Sequence, residues 1–160
     1  MSTSASYPFC IATIVTDKAI KAMLEVSGMG SYRDSHPWLV ARDLFANAQS
    51  NNQIIPILFA VTGEVERPHF SHWSTITNID VVELHRGQWD SRCEFDSLQP
   101  FNPIFEDIDS VFVKASAEQM LRERLENIRV VRHALDEHHI HPYAICETPV
   151  FIDEVLAKST

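Results

Sequence analysis

Apolar, β-branched runs separated by polar, turn-rich breaks set the rhythm of this chain. The first run, FCIATIV at 9–15, has no polar alternation and predicts a strand buried on both faces. Thr16 is placed to cap a helix from Asp17 to about Val26, and Gly28 to end it. After the turn-rich SGMGSYRD, Ser35 or His36 with Pro37 opens a second helix. Its apolar face is Leu39, Val40, Leu44 and Ala48, and NNQ closes it. IIPILFAVT at 54–62 reads as another buried strand. FSHWSTITNIDVVELH at 70–85 is too β-branched for a helix, with Asn78 as a bulge or bend. Arg86 and Gly87 form a tight turn into the strand QWDSRCEF at 88–95. LQPFNP is a loop, and IFEDIDSVFVK at 104–114 alternates as a further strand.

The most periodic segment runs from Ala117 to about His138. Ser116 and Gln119 have capping-box spacing, and Leu121, Leu125, Ile128, Val131 and Leu135 make a core-facing helical stripe. Glu118 with Arg122, Arg122 with Glu126, and Arg132 with Asp136 are supporting pairs four apart. YAICE is the last strand, and Pro149 leads into a tail. Grouped strands predict an α+β fold: a curved, mostly antiparallel sheet or small open β-barrel, with two N-terminal helices and one long C-terminal helix. The expectation is a single domain over 1–160, with loose tails at 1–7 and 154–160.

This order resembles the PUA-like superfamily, especially its EVE and ASCH branches. The resemblance rests on FCIATIV followed by two helices, then IIPILFAVT and HWSTITNIDVVEL as paired barrel strands, over about residues 7–115. NNQ stands where that group usually carries a Gly-Asp turn. The resemblance implies recognition of modified bases or RNA, or enzymatic action on nucleoside-like substrates. It also puts the 28–38 segment near a pocket mouth, close to Trp73.

Charge narrows the partners. The net charge is −9, and between Asp80 and Asp109 eight acids face only Arg86 and Arg92. Without a basic stripe, tight nonspecific DNA binding lacks its electrostatic source. An acidic domain that occupies a basic protein partner is a further alternative. No signal peptide or membrane span is read at the N-terminus, and three spaced cysteines without a CxxC pair fit a cytoplasmic location.

Two patches carry candidate chemistry. In GMGSYRDSHPW, the glycines permit close approach, and Tyr32, Arg33, His36 and Trp38 offer stacking and hydrogen bonds. With His72 and Trp73 they would hold a base-like or other small-molecule ligand, with no cofactor. The bland alternative is that Trp38 packs in the core. The second patch is His69 and His72, on opposite faces of a regular strand but convergent in a turn following Pro68, together with His139 and His141. If these four met, they would hold zinc or another divalent metal for a hydrolase, with Glu137 or Glu147 moving protons. Otherwise they are caps and solvated loop histidines. Cys10 and Cys146, in apolar strands, read as inert thiols. The acids of EDID (106–109) read as a solvated face or a cation site.

Overall fold

β2 (Phe9–Thr16) and β5 (Pro56–Thr62) run side by side in parallel, with Ile11 opposite Ile57 and Val15 opposite Val61. Because side chains alternate along a strand, this pair feeds two cores. Cys10, Ala12, Leu58 and Ala60 enter one; Ile11, Val15, Ile57, Phe59 and Val61 enter the other. Both faces must therefore be covered, which explains the unbroken apolar runs.

The computed structural model describes residues 5–25, 30–62, 68–101, 107–128 and 132–158. Along the chain the remaining elements are β1 (Ala5–Ser6), α1 (Asp17–Glu25), β3 (Gly30–Asp34), α2 (Leu39–Ser50), β4 (Gln53–Ile54), β6 (His69–His85), β7 (Gln88–Phe95), β8 (Gln99–Pro100), α3 (Ala117–Glu126), β9 (Ala144–Glu147) and α4 (Val150–Lys158). The main sheet has the order β3-β7-β6-β5-β2-β9, with β8 added beside β6. All its pairs except β2–β5 are antiparallel. β1 and β4 form a separate parallel pair. The protein is thus α+β, with a curved, open sheet.

β6 makes the curve. Its first half pairs with β5 and β8, its second half with β7, and its register slips between Ile76 and Asn78, where a bend was expected. Another slip opposite Phe59/Ala60 leaves Ser71 unmatched between Phe70 and His72. Bulges of this kind add a residue to one strand and increase its bend and twist. Gly87 closes the β6–β7 hairpin at φ +78°, a conformation glycine adopts without steric cost. Thr16 caps α1 through its Oγ1, which accepts from the Ala19 N–H at 3.1 Å. Val26 and Gly28, the expected end of that helix, lie outside the described residues.

The helices depart from two N-terminal helices plus one long C-terminal helix: there are four α-helices among the described residues. The Ser116–Gln119 capping box forms, but α3 ends at Glu126, where Asn127 turns left-handed at φ 53°. From His133 to Leu135 the described chain pairs with 111–113 in place of continuing a helix. Val113 N–H donates to the His133 carbonyl at 2.7 Å, and Leu135 N–H to the Val111 carbonyl at 2.8 Å. Leu135 is buried by this route, while Leu121, Leu125 and Ile128 remain exposed; Val131 lies outside the described residues. Arg132 pairs with Glu123 at 3.0 Å and Glu147 at 2.8 Å rather than with Asp136. The expected strand at 104–114 is also broken up. Ile108–Ser110 is a 3₁₀ turn and Phe112 and Val113 make single bridges; 104–106 lie outside the described residues. The expected C-terminal tail is instead α4. Phe151 and Ile152 bury themselves beside Trp73 and Phe101, which gives this segment a reason to order.

Leu135→Ala should cost about 2–5 kcal/mol, as for a buried leucine. Leu125→Ala, 76% exposed, should stay within about 0.5 kcal/mol. Urea unfolding of the two variants checks this, and comparable losses at both positions are what a continuous 117–138 helix with a buried stripe would give.

Candidate functional site

The edge strand β3 is where polar chemistry gathers. Its residues Gly30, Ser31, Tyr32 and Arg33 line a groove of about 640 Å³ with Ala19, Ala22 and Met23 of α1 and with Arg92 and Glu94 of β7. Registry sets the charges: Arg33 lies directly opposite Arg92, and Ser31 opposite Glu94. Arg33 Nη2 sits 3.1 Å from Asp90 Oδ2. Arg92 makes no ion pair among the described residues, although Asp80 is its β6 neighbour in register. Gly30 is required by close approach: a Cβ there would meet the Phe95 ring at 2.6 Å.

Tyr32 turns the other way, into the core. Its ring is 5.9 Å from Trp38 and 6.3 Å from Phe59. Burial raises its phenol pKa, the charge of Asp34 adds to this, and Thr13 offsets part of it. The phenol therefore stays neutral and able to donate. A second hollow of about 350 Å³ shares Tyr32 and Ala19 and is bounded by Val15, Thr62 and His141. Tyr32 and Ala19 thus border both hollows.

The turn after β3 is organised by Asp34. Its Oδ2 accepts from Trp38 Nε1 at 2.8 Å, and its Oδ1 accepts from the His36 N–H at 3.2 Å and lies 2.9 Å from His36 Nδ1. Burial works against the carboxylate, yet these hydrogen bonds prevail and hold its pKa below the usual value. Ser91 locks the turn to β7, receiving the Trp38 N–H and donating to the His36 carbonyl.

The expected aromatic pocket is not assembled. Trp38 is 1% exposed, between Tyr32 and Tyr143, and Trp73 is 3% exposed on the opposite face of the sheet. Neither indole presents a face to solvent for stacking. His36 is exposed at the turn. His72 is partly buried, opposite Phe59, with Nδ1 3.0 Å from Ser71 Oγ, and burial lowers its pKa. Of the expected ligand residues, Tyr32 and Arg33 share the groove. Sequence reasoning missed Arg92: alternation in QWDSRCEF signals its face, but only pairing reveals its neighbour.

The four-histidine set is not assembled either. The Ser71 bulge puts His69 and His72 on the same face, opposite Val61 and Phe59, rather than on opposite faces as a regular strand would. His139 instead joins His133 and Asp136, the one cluster of metal-ligating type among the described residues, and His141 borders the smaller hollow. The signal was the three-residue step 133-136-139, hidden by reading the segment as helix. Of the EDID acids, Asp107 is exposed and bridges to His69, and Asp109 is exposed.

No protein-family model, curated protein or solved structure matches the chain.

Cys10, Cys93 and Cys146 are buried and free. Burial, reinforced by Glu147, pushes the Cys146 thiol up to about 12. All three should resist thiol reagents in the native protein at pH 8 and react at least about 100-fold faster once unfolded; a reagent time course with and without urea tests this. His72 supplies a pH prediction. With its folded pKa below the unfolded value of about 6.5, the unfolded chain binds its proton first. Its contribution should therefore weaken the fold as pH falls through about 6.5. His72→Gln should flatten that part of the stability profile measured between pH 5 and 7.

Proposed function

We propose that this protein is a small-ligand-binding module whose site is the groove between α1 and the β3–β7 edge. Its ligand would be a planar anion of the nucleotide class. The reading keeps the ligand type implied by the PUA-like resemblance but moves the site away from Trp38, His72 and Trp73.

The observation that carries it is the direct opposition of Arg33 and Arg92 along a groove bordered by Tyr32. Like charges facing each other across a strand pair are destabilising, and an anion between them converts that cost into binding. Two guanidinium groups offer forked donors suited to phosphate or carboxylate oxygens. Tyr32 borders the groove with its ring packed inward against Trp38 and Phe59, which holds this part of β3 in place. Because β3 ends the sheet, the outer edge of its backbone has no strand partner among the described residues. Free backbone donors and acceptors, with Ser31 and Glu94, suit the polar edge of a base. The volume lies within the range of small-ligand sites.

Titration with nucleoside monophosphates, nucleosides and short oligonucleotides, followed by calorimetry and by tryptophan fluorescence through Trp38, tests the proposal. Saturable binding that favours the phosphorylated ligand and weakens at least about tenfold in Arg92→Ala supports it. No saturation at millimolar ligand, or binding indifferent to Arg92→Ala, overturns it.

A further inference from the structure

We propose that His133, Asp136 and His139 form a binding site for a divalent transition-metal ion of the zinc class, separate from the groove. Their donor atoms all lie within 4.8 Å of one another. His133 Nε2 is 3.0 Å from Asp136 Oδ2, and His139 Nδ1 is 2.8 Å from Asp136 Oδ1. The two imidazoles stand with ring centroids 4.7 Å apart.

Ligand spacing favours an ion. Around tetrahedral zinc with bonds of about 2.0–2.1 Å, neighbouring donors sit about 3.4 Å apart. To admit one, the two histidine–aspartate contacts would open by about half an ångström and the donors, spread within 4.8 Å, would close toward that spacing. Two imidazoles and one carboxylate are a donor set for zinc, iron, cobalt, nickel or copper rather than for magnesium or calcium. Three protein ligands leave the remaining positions to water, and both histidines are exposed enough to permit exchange.

The site is also held in place before any ion arrives. Asp136 Oδ1 accepts the backbone N–H groups of His138 and His139, each at 2.9 Å, which orients the carboxylate from behind. Outer contacts of this type keep metal ligands aimed. Leu135 and Ile140, 1% and 0% exposed, anchor the turn on both sides. Ala134 bridges Phe112, and His133 gives its carbonyl to Val113.

The competing account is a turn closed by hydrogen bonds alone, and metal uptake separates the two. Full-length, tag-free protein is stripped with a chelator, then titrated with Zn²⁺ by calorimetry and with Co²⁺ by visible absorption. The expected result is one equivalent with micromolar or tighter affinity. His133→Gln and His139→Gln should each weaken it at least about tenfold, while the double variant His69→Gln/His72→Gln should leave it unchanged. Asp136→Asn keeps an acceptor for the two N–H groups, so it should lose affinity without unfolding, read by circular dichroism. No saturable uptake at 1 mM metal, or uptake that survives His133→Gln and His139→Gln, overturns the proposal. The groove proposal is read separately, since Arg92→Ala should not alter metal uptake.

Discussion

Burial of the parallel β2–β5 pair on both faces is the constraint from which the rest follows. Each strand alternates its side chains between two cores, so neither face can be left to solvent. On one side α1, α2 and the returning strand β3 close over Ile57 and Phe59. On the other, α4 and the 108–115 and 135–146 segments close over Leu58 and Ala60. Chain that a single-faced sheet would leave as tail or long helix is recruited as cover. This is why residues 150–158 order, and why the residues around Leu135 leave helical geometry to lie beside Val111 and Val113.

The same constraint determines where a ligand could bind. An indole on either face is drawn inward, because covering both faces demands large apolar groups. Trp38 is locked by Asp34, Ser91 and Tyr143, and Trp73 by Phe151 and Leu58. Polar groups are left at the sheet's margin, where β3 has no further strand neighbour among the described residues. There the pairing with β7 forces Arg33 against Arg92, and α1 supplies the wall that makes a groove of an edge.

A second margin lies after α3. Asn127 ends the helix, Arg132 is drawn between Glu123 and Glu147, and the chain then makes a short turn around the Asp136 carboxylate. Two backbone N–H groups and two imidazoles converge on one side chain because the turn is tight. Leu135 and Ile140 hold its ends in the core. The apolar stripe of Leu121, Leu125 and Ile128 stays outside, so hydrophobic spacing in this segment reflected helix formation without burial.

Much of the architecture was legible in the sequence. The strands at 9–15, 54–62, 70–85 and 88–95, the bend near Asn78, the Thr16 and Ser116 caps and the α+β class all rest on local rules: alternation, β-branching and cap chemistry act within a few residues. Tyr32 and Arg33 were also picked out, as an aromatic and a cation in a glycine-bearing segment. Pairings between distant segments decided the rest. Which face receives Trp38 or Trp73, which arginine opposes Arg33, and whether His139 meets His69 or His133 depend on strand order, on a one-residue bulge at Ser71 and on a left-handed turn at Asn127. A bulge reverses the facing of every later side chain, and a helix stop redirects the chain. Both are settled by the burial that the finished fold makes available, which no local pattern encodes.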